Sequence, residues 1–159
     1  MKQLNVFGPP GTINFVDSTI KSFEEDIKVR SLPPENLNVE NLKSNIEIIY
    51  DGYTYKKNGL TIETFAVRHE PFTYAFGFKI FNSKYCMVIS GDTTYSEQVI
   101  EKTKNCDLLI HEIAHASEHT LEKYPKAKGV ISYHTDASQV SKIINTVKPR
   151  LTILNHVLS

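Results

Sequence analysis

Neither sign of charge is in excess. Eighteen Lys plus Arg balance 18 Asp plus Glu, so no net field draws this chain to a polyanion or an anionic membrane. Long apolar runs are missing as well: none approaches the roughly 18 residues of a membrane span, and Met1 to Gly8 holds too few apolar side chains for a secretory leader. The expectation is a cytoplasmic protein with no membrane segment. Cysteine is scarce, and Cys86 and Cys106 lack the spacing of a metal knuckle. They read as buried thiols in a reducing compartment, with a disulfide between them the lesser reading. Repeats and low-complexity tracts are absent. Gly8-Pro9-Pro10-Gly11-Thr12 lacks the Gly-Lys-Ser/Thr of a phosphate-binding loop, Ile13 and Asn14 standing in its place. A length of 159 residues predicts one domain, 1–159, able to bury a single core.

What is present is organised around Met87 to Glu112. Two short apolar runs, Met87 to Ile89 and Leu108 to Ile110, are each followed at once by polar residues able to bind a metal. The segment between them places Val99 and Ile100 among polar neighbours, as a short amphipathic helix does. That is a strand, helix, strand unit with chemistry at the strand ends, where open α/β sheets gather their ligands. Upstream, Gln3 to Phe7, Ile46 to Tyr50, Leu60 to Val67 and Tyr74 to Phe81 read as strands and Thr12 to Phe23 as a helix, while Glu24 to Ser44 reads as an irregular surface excursion. Tyr85 to Ile89 is expected to form an antiparallel hairpin with Tyr74 to Phe81. Downstream, Thr135 or Asp136 caps a helix carrying Val140, Ile143, Ile144 and Val147, and Leu151 to Leu154 form a last strand that runs into His156.

His69, Asp92 and His156 share one pattern, each following a predicted apolar strand closely. If the sheet brings those ends together, two imidazoles and a carboxylate form a ligand set suited to zinc or another divalent transition metal. Taken singly, each is also an ordinary turn residue. Val-Phe-Gly-Pro-Pro-Gly, Val-Arg-His69 with Phe-Gly-Phe-Lys-Ile, Ile-Ser-Gly-Asp92-Thr, Leu-Leu-Ile-His111-Glu112, Tyr-His134-Thr and Leu-Asn-His156 together resemble the metallo-β-lactamase superfamily, within it the ribonuclease Z and arylsulfatase-like branch. The likeness is to the second half of that fold. It implies an α/β protein with an αββα arrangement, a mixed sheet and flanking helices, and a hydrolase with two metal ions, most simply zinc. On the family pattern His69 and His156 are metal ligands, Asp92 bridges both metals, and His134 is the acid that protonates the leaving group. His111 and Glu112 are residues that orient the others.

The family's main motif, His-x-His-x-Asp-His, has no counterpart here, and only three residues join Phe81 to Tyr85 where bacterial transfer-RNA-processing members carry a long insertion. The chain is therefore expected to hold part of a site for phosphodiester or related ester substrates, small molecules or nucleic acids. It is also expected to associate, as a homodimer or with a separate N-terminal half. Two rivals come from other classes. One is a non-catalytic remnant that binds a partner or ligand; the other is a zinc peptidase using His111-Glu112-Ile113-Ala114-His115, which requires that pattern on a helix.

Overall fold

The computed structural model describes residues 3–158, which divide into two compact units, one ending at Ile49 and one beginning at Tyr50. The first is a small βαβ unit. Strand β1 (Leu4–Gly8) leads through a turn at Gly11 into helix α1 (Thr12–Ser22), followed by helix α2 (Glu24–Arg30), a single 3-10 turn at Val39–Leu42, and strand β2 (Ser44–Ile48). β1 and β2 run parallel, Val6 opposite Ile46, as a helical crossover requires. Helix α2 corrects the expectation of an irregular excursion. It buries no residue and is carried by local pairs one turn apart, Lys28 with Glu24 at 3.1 Å and Arg30 with Asp26 at 2.8 Å. Such exposed pairs contribute only tenths of a kcal/mol each, and they leave no apolar stripe to read.

The second unit is a six-stranded sheet in strict chain order: β3 (Thr54–Lys57), β4 (Leu60–Ala66), β5 (Phe76–Phe81), β6 (Cys86–Ile89), β7 (Leu108–Ala114) and β8 (Leu151–Leu158). The sheet is mixed. β3 to β6 are joined by short connections and pair antiparallel. β6, β7 and β8 pair parallel, with helix α3 (Glu97–Thr103) and then helices α4 (Glu118–Lys123), α5 (Ala127–Ile131) and α6 (Ala137–Val147) in the crossovers. Asn82 closes the tight β5–β6 hairpin, its side-chain oxygen accepting from the backbone N–H of Lys84 and Tyr85 at 2.8 and 2.9 Å.

The core lies on one face of this sheet. Phe65, Val88 and Leu109 meet Val99 and Ile100 of α3 and Ile143 of α6, all buried. A partly buried ion pair, Lys102 to Glu63, ties α3 to β4 on the same side. Registry sends the alternate residues to the opposite face: Ile62, Ile80, Met87, Leu108 and Leu151 line up across the strands in one row, and Phe78, Ile89, Ile110 and Ile153 in the next. None of these apolar residues is fully buried, and Leu151 and Ile153 are 56% and 44% exposed.

The cysteines depart from expectation. Cys86 and Cys106 are joined as a disulfide, with Cα atoms 4.6 Å apart. Parallel pairing of Met87 with Leu108 sets the start of β6 beside the segment entering β7. The Asp107 N–H donates to the Cys86 carbonyl at 2.8 Å, and the Cys86 N–H donates to Asp107 Oδ2 at 3.0 Å. Twenty residues apart in sequence, the two cysteines become neighbours through strand registry, which linear spacing does not reveal. Strand ends also shift, β7 running on through His111 and Glu112 to Ala114 and β8 to Leu158, and β3 is an additional polar edge strand.

Candidate metal centre

The carboxyl ends of β6, β7 and β8 lie side by side because these strands are parallel neighbours. Asp92 leaves β6 through Gly91, whose φ of +63° places it in the left-handed region, and a Cβ there would stand 2.5 Å from the Phe76 carbonyl oxygen. Only glycine turns the chain so tightly against β5 and presents the next residue at the sheet edge. His156 is presented by a different device. Between the pairs Glu112–Asn155 and Ala114–Leu158, β8 spends one residue more than β7, and His156 sits in that bulge with φ +46°. Bulges re-aim side chains at sheet rims, and this one brings His156 Nε2 to 3.5 Å from Asp92 Oδ2. His134 precedes α6, whose start is fixed by a capping box: Asp136 Oδ1 accepts from the Gln139 N–H at 2.9 Å, and Gln139 Oε1 accepts from the Asp136 N–H at 3.1 Å.

Donor atoms of Asp92, His134 and His156 all lie within 4.8 Å of one another. His69, on the connection from β4 to β5, adjoins this group, its ring centroid 4.9 Å from that of His134. Its Nδ1 lies 3.1 Å from the Tyr133 carbonyl oxygen. A carbonyl only accepts, so this contact fixes the proton on Nδ1 and leaves the Nε2 lone pair free to bind a metal. Burial is graded: His134 is buried, Asp92 half-buried and His156 exposed. An open, solvent-facing side on a partly sheltered His/Asp cluster fits the donor chemistry of a catalytic zinc site.

Glu112 organises the cluster from beneath. It is 1% exposed, and its Oε1 accepts from the backbone N–H of Thr93 at 3.2 Å and of Thr135 at 2.8 Å. One oxygen thus pins the residue after Asp92 and the residue after His134. The same oxygen lies 3.4 Å from His134 Nδ1. Thr135 Oγ1 donates to the Thr93 carbonyl at 2.6 Å, closing the loop between the two segments, and the Glu112 N–H donates to Ser90 Oγ at 3.1 Å. His111 points elsewhere on β7: it is fully buried, and its Nδ1 donates to the Glu112 carbonyl at 2.6 Å. Burial pushes its pKa below the ordinary value of 6.5, against smaller raising contributions from that hydrogen bond and the Glu112 charge.

A strand places His111 and Glu112 on opposite faces, and the next helix begins only at Glu118, beyond His115. The pattern His111-Glu-x-x-His115 is therefore not helical, and the peptidase reading is set aside. Sequence reasoning gave Ser90, Thr93 and Tyr133 no role of their own and offered Thr135 only as a helix cap, which Asp136 provides instead. The available signal was position: Thr93 and Thr135 directly follow Asp92 and His134, where a backbone N–H at a strand or helix end needs an acceptor.

No family model matches the chain. Over 155 residues, 96% of the chain, it is 25% identical to ribonuclease Z of Mycobacterium tuberculosis, covering 56% of that protein. Its fold matches the metallo-β-lactamase fold protein YhfI from Bacillus subtilis with a TM-score of 0.62 at 15% identity, over 98% of this chain and 53% of that one. It also matches Zn(2+)-bound PqqB from Methylobacterium extorquens, with a TM-score of 0.51 at 12% identity over 98% of this chain and 51% of the other. The chain is thus a metallo-β-lactamase-fold protein. Its sequence is similar to that of ribonuclease Z, and it spans about half the length of the curated relatives it matches.

Proposed function

We propose that the chain carries part of the metal centre of a hydrolase acting on phosphodiester or related ester bonds, and that it corresponds mainly to the second αβ half of its fold as one domain over 1–159. The carrying observation is the convergence of Asp92, His134 and His156 within 4.8 Å at the carboxyl edge of parallel strands. The relative named ribonuclease Z supports a nucleic-acid or phosphodiester substrate, and the zinc-bound PqqB structure supports zinc. Bound there, zinc supplies Lewis acidity toward a phosphoryl oxygen and a water of lowered pKa. His69, Asp92 and His156 would hold the metal. His134, its Nδ1 facing the Glu112 carboxylate, is the acid in its imidazolium form, with Nδ1–H toward Glu112 and the Nε2 proton given to the leaving oxygen.

A second assignment, His134 as third ligand in place of His69, is favoured by the same 4.8 Å grouping. Zinc content separates the two. His134→Ala that binds zinc as the parent does, while turnover of bis(p-nitrophenyl) phosphate falls, supports the acid; loss of zinc equal to that of Asp92→Ala makes His134 a ligand. The apolar rows on the sheet face opposite the core, none of them fully buried, support association, as a homodimer or with a separate N-terminal half, in a reducing or oxidising compartment according to whether the Cys86–Cys106 bond persists. Light scattering reads the first and thiol titration the second. No helix among the described residues is long and apolar enough to cross a membrane. A chain that binds no zinc at Asp92 and His156, alone or with its partner, would leave a non-catalytic binding role.

A further inference from the structure

Phe72 is 62% exposed, and a single exposed aromatic is unremarkable by itself. What distinguishes this one is how firmly it is held. Its backbone N–H donates to the His69 carbonyl at 2.9 Å, in an isolated antiparallel bridge between the two residues. Its ring lies parallel to the His69 imidazole, 9° between planes and 5.1 Å between centroids. His69 is itself clamped by the Tyr133 carbonyl and by the edge-on Tyr133 ring at 5.1 Å. Rings then step inward from Phe72 to His69, from His69 to His134 at 4.9 Å, and from His134 to His156 at 5.4 Å. One face of the phenyl ring lies in an offset stack against the imidazole; no other ring adjoins it among the described residues, and the residue is mostly exposed. A flat apolar surface is thus fixed at the rim of the donor cluster.

We propose that the other face of the ring is a stacking platform for a nucleobase flanking the phosphodiester that the cluster receives. Stacking on an aromatic ring tolerates any base, because every base has a π-face, and a platform already immobilised loses little entropy on binding. The choice of a base as the planar group rests on the phosphodiesterase reading above; the platform itself rests on ring geometry alone. The chain contains no tryptophan, so Phe72→Trp installs a single fluorophore at the platform. In that variant AMP should quench the fluorescence saturably, and ribose 5-phosphate at equal concentration should not. Equilibrium dialysis of AMP against the unaltered chain and Phe72→Ala should show affinity reduced by about tenfold in the alanine variant. An unchanged emission with AMP in a variant of native circular dichroism, or equal responses to both compounds, overturns the platform. Neither readout requires hydrolysis. Zinc titration of the same samples tests the metal centre separately, so loss of one reading is not loss of the other.

Discussion

Among single changes that leave the proposed ligands and the proposed acid themselves unaltered, Glu112→Ala should be the most damaging to the site. The carboxylate is 1% exposed, and its Oε1 accepts from Thr93 N–H and Thr135 N–H. Truncation orphans two buried donors, each costing about 1–3 kcal/mol, so the loss is roughly 2–6 kcal/mol. Domains of this size hold only about 5–15 kcal/mol in total, and the expected fall in Tm is roughly 4–24 °C. Because those donors belong to the residues after Asp92 and His134, zinc affinity should fall by about 10- to 100-fold as well, the usual cost of removing a group that orients ligands. Glu112→Gln is the companion variant: it keeps an oxygen acceptor in place of Oε1 for the Thr93 and Thr135 N–H groups but buries an amide nitrogen without an acceptor, so both quantities should fall between those of the parent and of Glu112→Ala. Calorimetric melting and competition zinc titration on the three proteins give the answer. If Glu112→Ala melts within a degree of the parent, or binds zinc equally, then Glu112 does not pin the two segments and the reasoning fails.

Asp136→Ala removes the capping box of α6 and should cost about 1 kcal/mol in urea unfolding; an unchanged midpoint would make the cap irrelevant. Asp136 is held below its usual carboxylate pKa, chiefly by the Gln139 backbone N–H, so its contribution should be complete above the ordinary carboxylate range and disappear as pH drops through the lowered value. His111, buried and depressed below 6.5, adds a second acid sensitivity. Below about pH 6.5 the unfolded chain takes up a proton that the folded chain refuses, so stability should decline as pH falls from there; His111→Asn should flatten that slope in a Tm-against-pH series. Reduction of the Cys86–Cys106 bond, which closes a 20-residue separation, should release about 3 kcal/mol of unfolded-state restriction. Thiol titration before and after unfolding checks whether the bond is present.

Elements with a strong local signature were legible in the chain. The hairpin of β5 and β6 announced itself by apolar runs around Asn82-Ser83-Lys84, and α6 by Asp136 followed by Val140, Ile143 and Val147. His69, Asp92, His134 and His156 stood out as strand-end or cap-adjacent residues; the donor atoms of Asp92, His134 and His156 lie within 4.8 Å of one another, and the His69 ring adjoins that of His134. The parts that were not legible depend on partners distant in sequence. β3, Thr-Tyr-Lys-Lys, has no apolar alternation and is a strand because β4 offers it hydrogen bonds. α2 has no core-facing stripe because it buries nothing. The disulfide and the bulge at His156 are set by strand registry, where one residue more or less on a neighbour decides which side chains meet. Phe72 gives no signal until its ring is seen lying flat on His69.

The change from antiparallel to parallel pairing at β6 also sets an order of assembly. β3 to β6 meet their neighbours across short connections, whereas Met87 must find Leu108 across α3, and Leu108 must find Leu151 across three helices. Closing long loops delays non-local pairing, so the hairpin ribbon is the early part of the sheet and β8 the late arrival. His156 rides on that last strand. A chain halted one strand short would possess its ribbon and the greater part of its core, yet lack the final imidazole. If the cluster holds zinc as proposed, zinc in the medium would therefore distinguish finished molecules from nearly finished ones during folding, holding the former by mass action and passing over the latter.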